Sequence, residues 1–277
     1  MSVRKQLVVN ADDFGFTPDV NEGIVEAHRK GILTATTLMA NGEAFEHAVG
    51  LARHIPSLDV GCHMVLVGGR SLLSGKLLPP AVSSLLAALV RRQIDVYAEM
   101  RAQLEQILEA GIRPTHLDTH KHTHLAPPVL EALARLGEEF GIRWVRRPFD
   151  LPLQPRSHPL SGPPRLKRFT SRAIGLLGPR FHNAIERHNC RTTDYFAGFL
   201  VTGRLETRQL VDLLEALPEG STELMCHPGR CELALRSART RLKESREAEL
   251  RALTAPQVRE AVARAEIELV NYRQLSS

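Results

Sequence analysis

Short β-branched runs alternate with longer helical patterns along nearly the whole chain, and few architectures accept that order. Strand-like segments fall at residues 7–11, 34–39, 58–67, 115–119, 143–147, 196–201 and 222–226. Helical periodicity occupies 20–30, 44–54, 81–92, 96–110, 128–140, 206–216, 244–252 and 256–265, and a basic amphipathic stretch fits a helix over 165–187. Strands separated by helices pair in parallel through crossovers, which makes this an α/β chain. Parallel strands all end on one side of their sheet, and residues that do chemistry collect there. Here polar clusters follow 7–9, lie within 58–67, follow 115 and follow 225. A closed or partly closed (β/α) barrel brings four such ends around one mouth, with an open doubly wound sheet as the alternative. There is no internal repeat. The chain reads as one domain over 1–277, with a Pro-rich and basic insertion at about 148–191.

Composition narrows the class. Apolar residues make up 43 % and charged residues 24 %, which suits a globular domain with a sizeable core. No apolar run approaches the roughly 18–20 residues that cross a bilayer. Residues 1–6 lead straight into the first strand with no signal-peptide pattern, so the expected location is cytoplasmic. The four cysteines do not form a disulfide framework in a chain of this length. Cys62 and Cys226 each precede a histidine inside a strand. Side chains alternate across a strand, so both thiols face the core if His63 and His227 face a site. A zinc site built from Cys226, His227 and Cys231 has no paired Cys-x-x-Cys spacing behind it. The net charge of +5 is concentrated. Between Arg143 and Arg191, eleven Lys and Arg against Asp150 and Glu186 give +9 and leave −4 elsewhere. One basic segment and 5 % aromatic residues exclude a chain-wide nucleic-acid surface.

Four clusters carry candidate chemistry. In Asn10-Ala11-Asp12-Asp13-Phe14-Gly15 two carboxylates end a strand, so one can bind a metal while the other acts as a base. An Asx turn or helix cap would need one of them. The Asp13-Phe14-Gly15 triplet matches a kinase metal motif, but neither a glycine-rich phosphate loop nor a His-Arg-Asp catalytic loop accompanies it. His63 sits mid-strand in an apolar run, where a lone histidine is ordinarily core. Its company is the run His116, Asp118, His120, His122 and His124. In an extended chain those five would share one face, yet at about 3.3 Å per residue His116 and His124 lie roughly 26 Å apart. One or two of them ligate. The others support, donate a proton or belong to a loop, and Asp118 suits a carboxylate that orients a metal-bound imidazole. His227, before Pro228-Gly229 at another strand end, fits a general acid.

Together these residues describe a mononuclear site with Asp and His ligands. Oxygen and nitrogen donors without thiolates fit Zn, Mn, Co, Ni or Mg as the one divalent ion, which would promote attack of water on a carbonyl. The residues alone leave open whether Asp12 or Asp13 faces the ion, and which histidine near 120 does.

The motifs resemble those of the YdjC-like carbohydrate deacetylases, within the wider NodB-like polysaccharide deacetylase group. The matching stretches run from Val9 to Gly15, from Thr34 through Thr36, Thr37 and Leu38 to Asn41, from Gly61 to His63, from Pro114 to His124, and from Met225 to Gly229. They cover nearly the whole chain. The resemblance implies a deformed (β/α) barrel of the NodB/glycoside hydrolase-deacetylase kind, a homodimer, and deacetylation of an N-acetylglucosamine unit. It implies Asp13, His63 and His120 as metal ligands, Asp12 as base and His227 as acid, with His124 as rival acid. Asn10, Thr37, Asp118, His122 and Arg146 are then expected around the ion or the substrate. One stretch departs from the pattern. His63 leads into Met64-Val65-Leu66-Val67-Gly68-Gly69-Arg70 where related chains have a Leu-Thr step, which bears on the sugar side of the site.

The chain is also similar to a subgroup associated with hopanoid biosynthesis, which implies an N-acetylglucosaminyl lipid as substrate. The basic helix expected over 165–187 supports that independently, because such a helix can lie on an anionic membrane surface. The expectation is therefore a cytoplasmic enzyme, peripheral at the inner membrane. The alternatives are deacetylation of soluble chitooligosaccharides, a metal-dependent phosphoesterase, and a basic binding protein without activity.

Overall fold

Strand β1 (Lys5–Phe14) is the axis of the sheet and is buried on both faces from Leu7 onward, where the apolar run Leu7-Val8-Val9 begins. The computed structural model describes residues 4–151 and 175–275. On one side β1 pairs in parallel with β7 (Gly220–Cys226), from Lys5↔Gly220 to Ala11↔Cys226. Its other side is shared. The start pairs with β8 (Ile267–Leu269), and Asn10 onward pairs with β2 (Ala35–Leu38). From β2 the sheet continues through β3 (Asp59–Met64), β4 (His116–Thr119) and β5 (Trp144–Val145), and beyond β7 lies β6 (Tyr195–Ala197). Every pairing of these strands is parallel. The two edges approach through single parallel bridges, Trp144↔Arg191 and Asp150↔Phe196. The sheet is therefore curled into a deformed, incompletely closed (β/α) barrel.

Strand parity divides the core. Leu7, Val9, Ala11, Cys62, Leu117, Leu224 and Cys226 pack outward against the helices, so both cysteines face away from the mouth as expected. Val8, Ala35, Val270, Tyr272 and Leu275, with Trp144, form a separate cluster inside the barrel. The covering helices are α1 (Pro18–Lys30), α2 (Phe45–His54), α3 (Val82–Val90), α4 (Val96–Glu109), α5 (Pro127–Glu139), α6 (Gly178–Arg187), α7 (Thr207–Glu215), α8 (Leu233–Ser237), α9 (Glu244–Thr254) and α10 (Pro256–Arg264). Their starts carry ordinary signals: Thr17 caps Val20 N at 3.3 Å ahead of Pro18, and Asp95 caps Ala98 N at 3.0 Å.

Several expectations need correction. The strand expected over 115–119 does end at Thr119, and the short 3-10 segment after it, His120–Leu125, with Lys121 and His122 in left-handed conformations (φ 56° and 51°), was not foreseen. The last strand is β8, not the one ending at Cys226. It was hidden by its three-residue length and by a turn at Glu266 with φ 52°. The five-residue helix α8 was also unforeseen. Of the helix expected over 165–187, residues 165–174 lie outside the described residues, as does 152–164 of the Pro-rich stretch. The described remainder, α6, buries Phe181, Ala184 and Ile185. Among the described residues no helix is long and apolar enough to cross a membrane.

Candidate metal centre and active site

On β1, alternation sends Asn10 and Asp12 to the barrel interior. Asp13 should then point outward, but its φ of 69° breaks the alternation and returns its carboxylate to the mouth. Asp13 Oδ1 lies 3.1 Å from His120 Nδ1 and 3.4 Å from His63 Nε2, and the two rings approach to 3.3 Å. His63 is on β3, where Gly61 two residues earlier leaves room for the His116 ring; a Cβ there would lie 2.6 Å from it. His120 is the first residue past β4, delivered by the left-handed turn that follows.

The far nitrogen of His63 is committed elsewhere. Nδ1 lies 2.6 Å from Asp118 Oδ1 and 3.2 Å from Thr37 Oγ1, and Thr37 donates to Asp118 Oδ2 at 3.3 Å. A carboxylate behind an imidazole directs the opposite nitrogen at a cation, and here that nitrogen faces Asp13 and His120. Burial alone would lower the His63 pKa, but the charges of Asp118 and Asp12 outweigh it and push the ring up to about 10. For Asp13, burial is outweighed by Arg246 and His120, which hold the carboxyl well below its usual range.

The residues present fit a divalent ion. One ligand atom from each of Asp13, His63 and His120 lies within 4.8 Å of the others. Asp13 Oδ1 is buried without a hydrogen-bond partner although two imidazole nitrogens crowd it, as expected of a donor whose partner is a cation. Asp12, His63 and Asp118 satisfy the same distance criterion. There, however, Arg146 already bonds both carboxylates and His63 offers the nitrogen that Asp118 occupies. Of the two groups, the first is the candidate that keeps its donor atoms free for an ion.

Arg146, just past β5 and 1 % exposed, organises the layer beneath. Its guanidinium donates to both Asp12 oxygens at 2.9 and 2.7 Å, approaches Asp118 Oδ2 at 2.6 Å, and donates from Nε to Glu223 Oε1 at 2.8 Å. Asn10 Nδ2 donates to the same Glu223 oxygen at 3.0 Å and contacts His116 Nε2 at 3.1 Å. His116 stacks on Tyr272 at 3.9 Å, which makes it part of the barrel filling. Across the mouth, His227 directly follows β7, with Nε2 3.8 Å from Asp12 Oδ2. Burial pushes its pKa down to about 4.

The remaining predicted histidines go elsewhere. His122 packs edge-on against Phe196 and Phe199 at 5.7 and 5.9 Å. His124 Nδ1 is 2.6 Å from Thr119 Oγ1, and its ring lines a cavity of mixed polarity, with Leu130, Phe149 and Phe181 beside Glu131 and Arg180. Asp12, Asp13, His63, Asp118, His120, Arg146 and His227 thus converge, with Thr37 and Asn10 behind them, while His124 lies toward α6.

The sequence profile of YdjC-like proteins matches residues 6–264. A carbohydrate deacetylase of Brevibacillus brevis is 33 % identical over 278 residues, covering 98 % of this chain and 99 % of the relative. The chain belongs to the YdjC-like family. A carbohydrate deacetylase of Geobacillus stearothermophilus is 32 % identical over 96 % of both chains. Among solved structures, one from Enterococcus faecalis V583, of a protein provisionally named for cellobiose-phosphate cleavage, is similar with a TM-score of 0.76 and 25 % identity. The match covers 99 % of this chain and 100 % of that one.

Three charged residues of this YdjC-like protein escaped the sequence reading: Glu223, Arg246 and Glu249, each 1 % exposed or less. Each left a signal. Glu223 is a charge on the inward parity of β7, and Arg246 and Glu249 share the buried stripe of α9 with Leu250 and Leu253.

Proposed function

We propose that this protein is a divalent-metal-dependent carbohydrate deacetylase acting on the acetamide of an N-acetylglucosamine unit. The observation that carries the reading is the convergence of Asp13, His63 and His120 beside Asp12 and His227 at one barrel mouth. The carbohydrate deacetylases to which the chain is about one-third identical support the substrate class. A bound divalent ion would supply Lewis acidity toward the acetamide carbonyl and the attacking water. Asp12, held on both oxygens by Arg146, accepts the proton of that water. His227, neutral at rest because burial lowers its pKa to about 4, receives that proton from Asp12, whose Oδ2 lies 3.8 Å from its Nε2, and gives it to the amine nitrogen as the C–N bond breaks, which returns both residues to their starting states. Acetate and the free amino sugar leave. The acid role falls to His227 and not His124, because His227 is the one beside Asp12.

We take the sugar to be lipid-linked, a hopanoid glycoside, on the strength of the motif resemblance and the +9 charge over 143–191. Within the described part of that segment, α6 turns Phe181, Ala184 and Ile185 inward and exposes Arg180 and Arg187, which suits an anionic surface. A homodimer would find its contact on α3, where Val82, Leu86 and Val90 form an exposed apolar stripe, and sedimentation velocity tests it.

The deciding experiment measures amine release from a lipid-linked N-acetylglucosaminide and from soluble chitooligosaccharides, using chelated and metal-restored protein. Metal-dependent release lost in Asp12→Asn and His63→Gln is the expected result. Preference for the soluble sugar refutes the lipid assignment and leaves the class standing. No release by protein shown to hold its ion refutes the class and points to phosphoesters. Flotation with anionic liposomes at low salt checks membrane contact, and no binding refutes it.

A further inference from the structure

Helix α9 carries two buried charges one turn apart, and each reaches a different side of the site. Arg246 Nη2 donates to Asp13 Oδ2, the oxygen turned away from His63 and His120. The same residue's carbonyl accepts Gly229 N at 3.2 Å, in the turn directly after His227. Glu249 Oε2 accepts the backbone N–H of His227 at 2.6 Å, and its Oε1 accepts Gly203 N at 3.1 Å. Positions i and i+3 share a helix face, so one rigid turn grips the end of β1 and the end of β7 together.

Stability alone does not call for this arrangement. Taking an ionised side chain out of water costs several kcal/mol, and an apolar pair of similar volume often serves a core equally well. Both side chains are 1 % exposed, on the stripe where Leu250 and Leu253 supply ordinary packing. What the charges add is direction. A carboxylate with one oxygen tied to a guanidinium presents the other to a cation in a fixed orientation. A backbone N–H tied to a carboxylate fixes the strand end from which the His227 ring projects.

We infer that α9 is the positioning element of the active site, with Arg246 presenting Asp13 as a one-oxygen metal ligand and Glu249 setting His227 opposite it. The inference rests on the deacetylase reading above and assigns separate tasks to two residues of one helix turn. Arg246 acts through Asp13 and therefore sets metal affinity. Glu249 acts through His227 and therefore sets turnover.

The test uses the full-length protein, stripped of metal and titrated calorimetrically with Mn²⁺ or Zn²⁺, followed by steady-state kinetics at saturating metal. Loss of a partner behind a ligand typically weakens metal binding about 10–100-fold, and Arg246→Met should do so. Arg246→Lys keeps the cation without the planar fork and should recover part of that loss. It also covers the case in which the Met variant does not fold. Glu249→Gln, which leaves one acceptor oxygen for two N–H groups, should hold metal within about twofold of wild type and lower kcat with KM unchanged. Arg246 variants that bind metal as wild type does overturn the inference, as does Glu249→Gln weakening metal and turnover in parallel. Wild-type protein that binds no divalent ion or releases no amine would defeat the underlying reading, and the inference with it. Wild type that does both, with variants indistinguishable from it, defeats the inference alone.

Discussion

Replacing Arg146 by Met removes the cation from a closed cluster of carboxylates while keeping most of the side-chain volume. The guanidinium meets Asp12 at 2.9 and 2.7 Å, Asp118 at 2.6 Å and Glu223 at 2.8 Å, and the residue is 1 % exposed. Removing one partner of a buried pair costs about 3–5 kcal/mol, because the charge left behind stays desolvated. Three carboxylates lean on this one cation, which places the loss toward the upper end. Unfolding entropy for 277 residues is about 0.6 kcal/mol per degree, so Tm should fall by about 5–9 °C. Dependence on pH identifies the cause. Burial would raise the Asp118 pKa, but Arg146 and His63 outweigh it and hold the carboxyl below its ordinary value. A carboxylate depressed in the fold stabilises fully above its unfolded pKa of about 4, and that contribution is lost as pH falls through the folded value. The variant lacks the Arg146 share, so Asp118 is held down less and takes up its proton at higher pH in the folded variant than in wild type. Its Tm deficit should therefore be full at pH 7.5 and shrink toward pH 4.5, read by scanning calorimetry in chelator at constant ionic strength. Adding Glu223→Gln should recover part of the loss at pH 7.5. A deficit under about 1 kcal/mol, which is the level of an exposed pair, or one identical at both pH values, would refute the electrostatic account.

A divalent ion at one hundred times its Kd should stabilise by about 2.7 kcal/mol. That raises Tm by about 5 °C, and His120→Ala should abolish the shift in thermal melts. Burial pushes the Glu249 pKa up to about 7, so this group costs stability as pH rises from its unfolded value of about 4.5 toward 7. The Tm of Glu249→Gln relative to wild type should accordingly climb between pH 5 and 8, and a flat difference counts against it. In Gly23→Ala the new Cβ would lie 2.4 Å from Gly229 Cα. Backbone must move, so about 1–3 kcal/mol of stability and part of the activity should be lost, whereas unchanged melting would contradict the close approach of α1 to the turn after His227. All four cysteines are free and buried, and burial raises the thiols of Cys62 and Cys226 well above their ordinary value. Labelling by a disulfide reagent should await denaturant, and prompt labelling of folded protein would be the contrary result.

What could be read from the chain, and what could not, follows from how far each interaction reaches. Strand parity is local. It correctly turned Cys62 and Cys226 outward and His63 inward, because a side chain in a regular strand has two directions to choose from. Asp13 defeats that logic for a local reason that leaves no compositional mark. A non-glycine residue at φ 69° swings its carboxylate back to the face that Asp12 occupies, which is why the residues alone could not choose between them. Within the His116–His124 run the strand ends at Thr119 as expected, but two left-handed residues, Lys121 and His122, decide which histidine returns to the mouth, and they too leave no compositional mark. The pairings of the buried charges are long-range. Arg146 meets Asp12 across 134 positions, and Arg246 meets Asp13 across 233, so neither pairing is visible to any window of sequence. Still, a charged residue placed where its element must be buried has to meet an opposite charge or an ion somewhere. Applied to the inward parity of β7 and the apolar stripe of α9, that rule singles out Glu223, Arg246 and Glu249. It identifies which residues must have partners, and the closure of the barrel determines which partners they find.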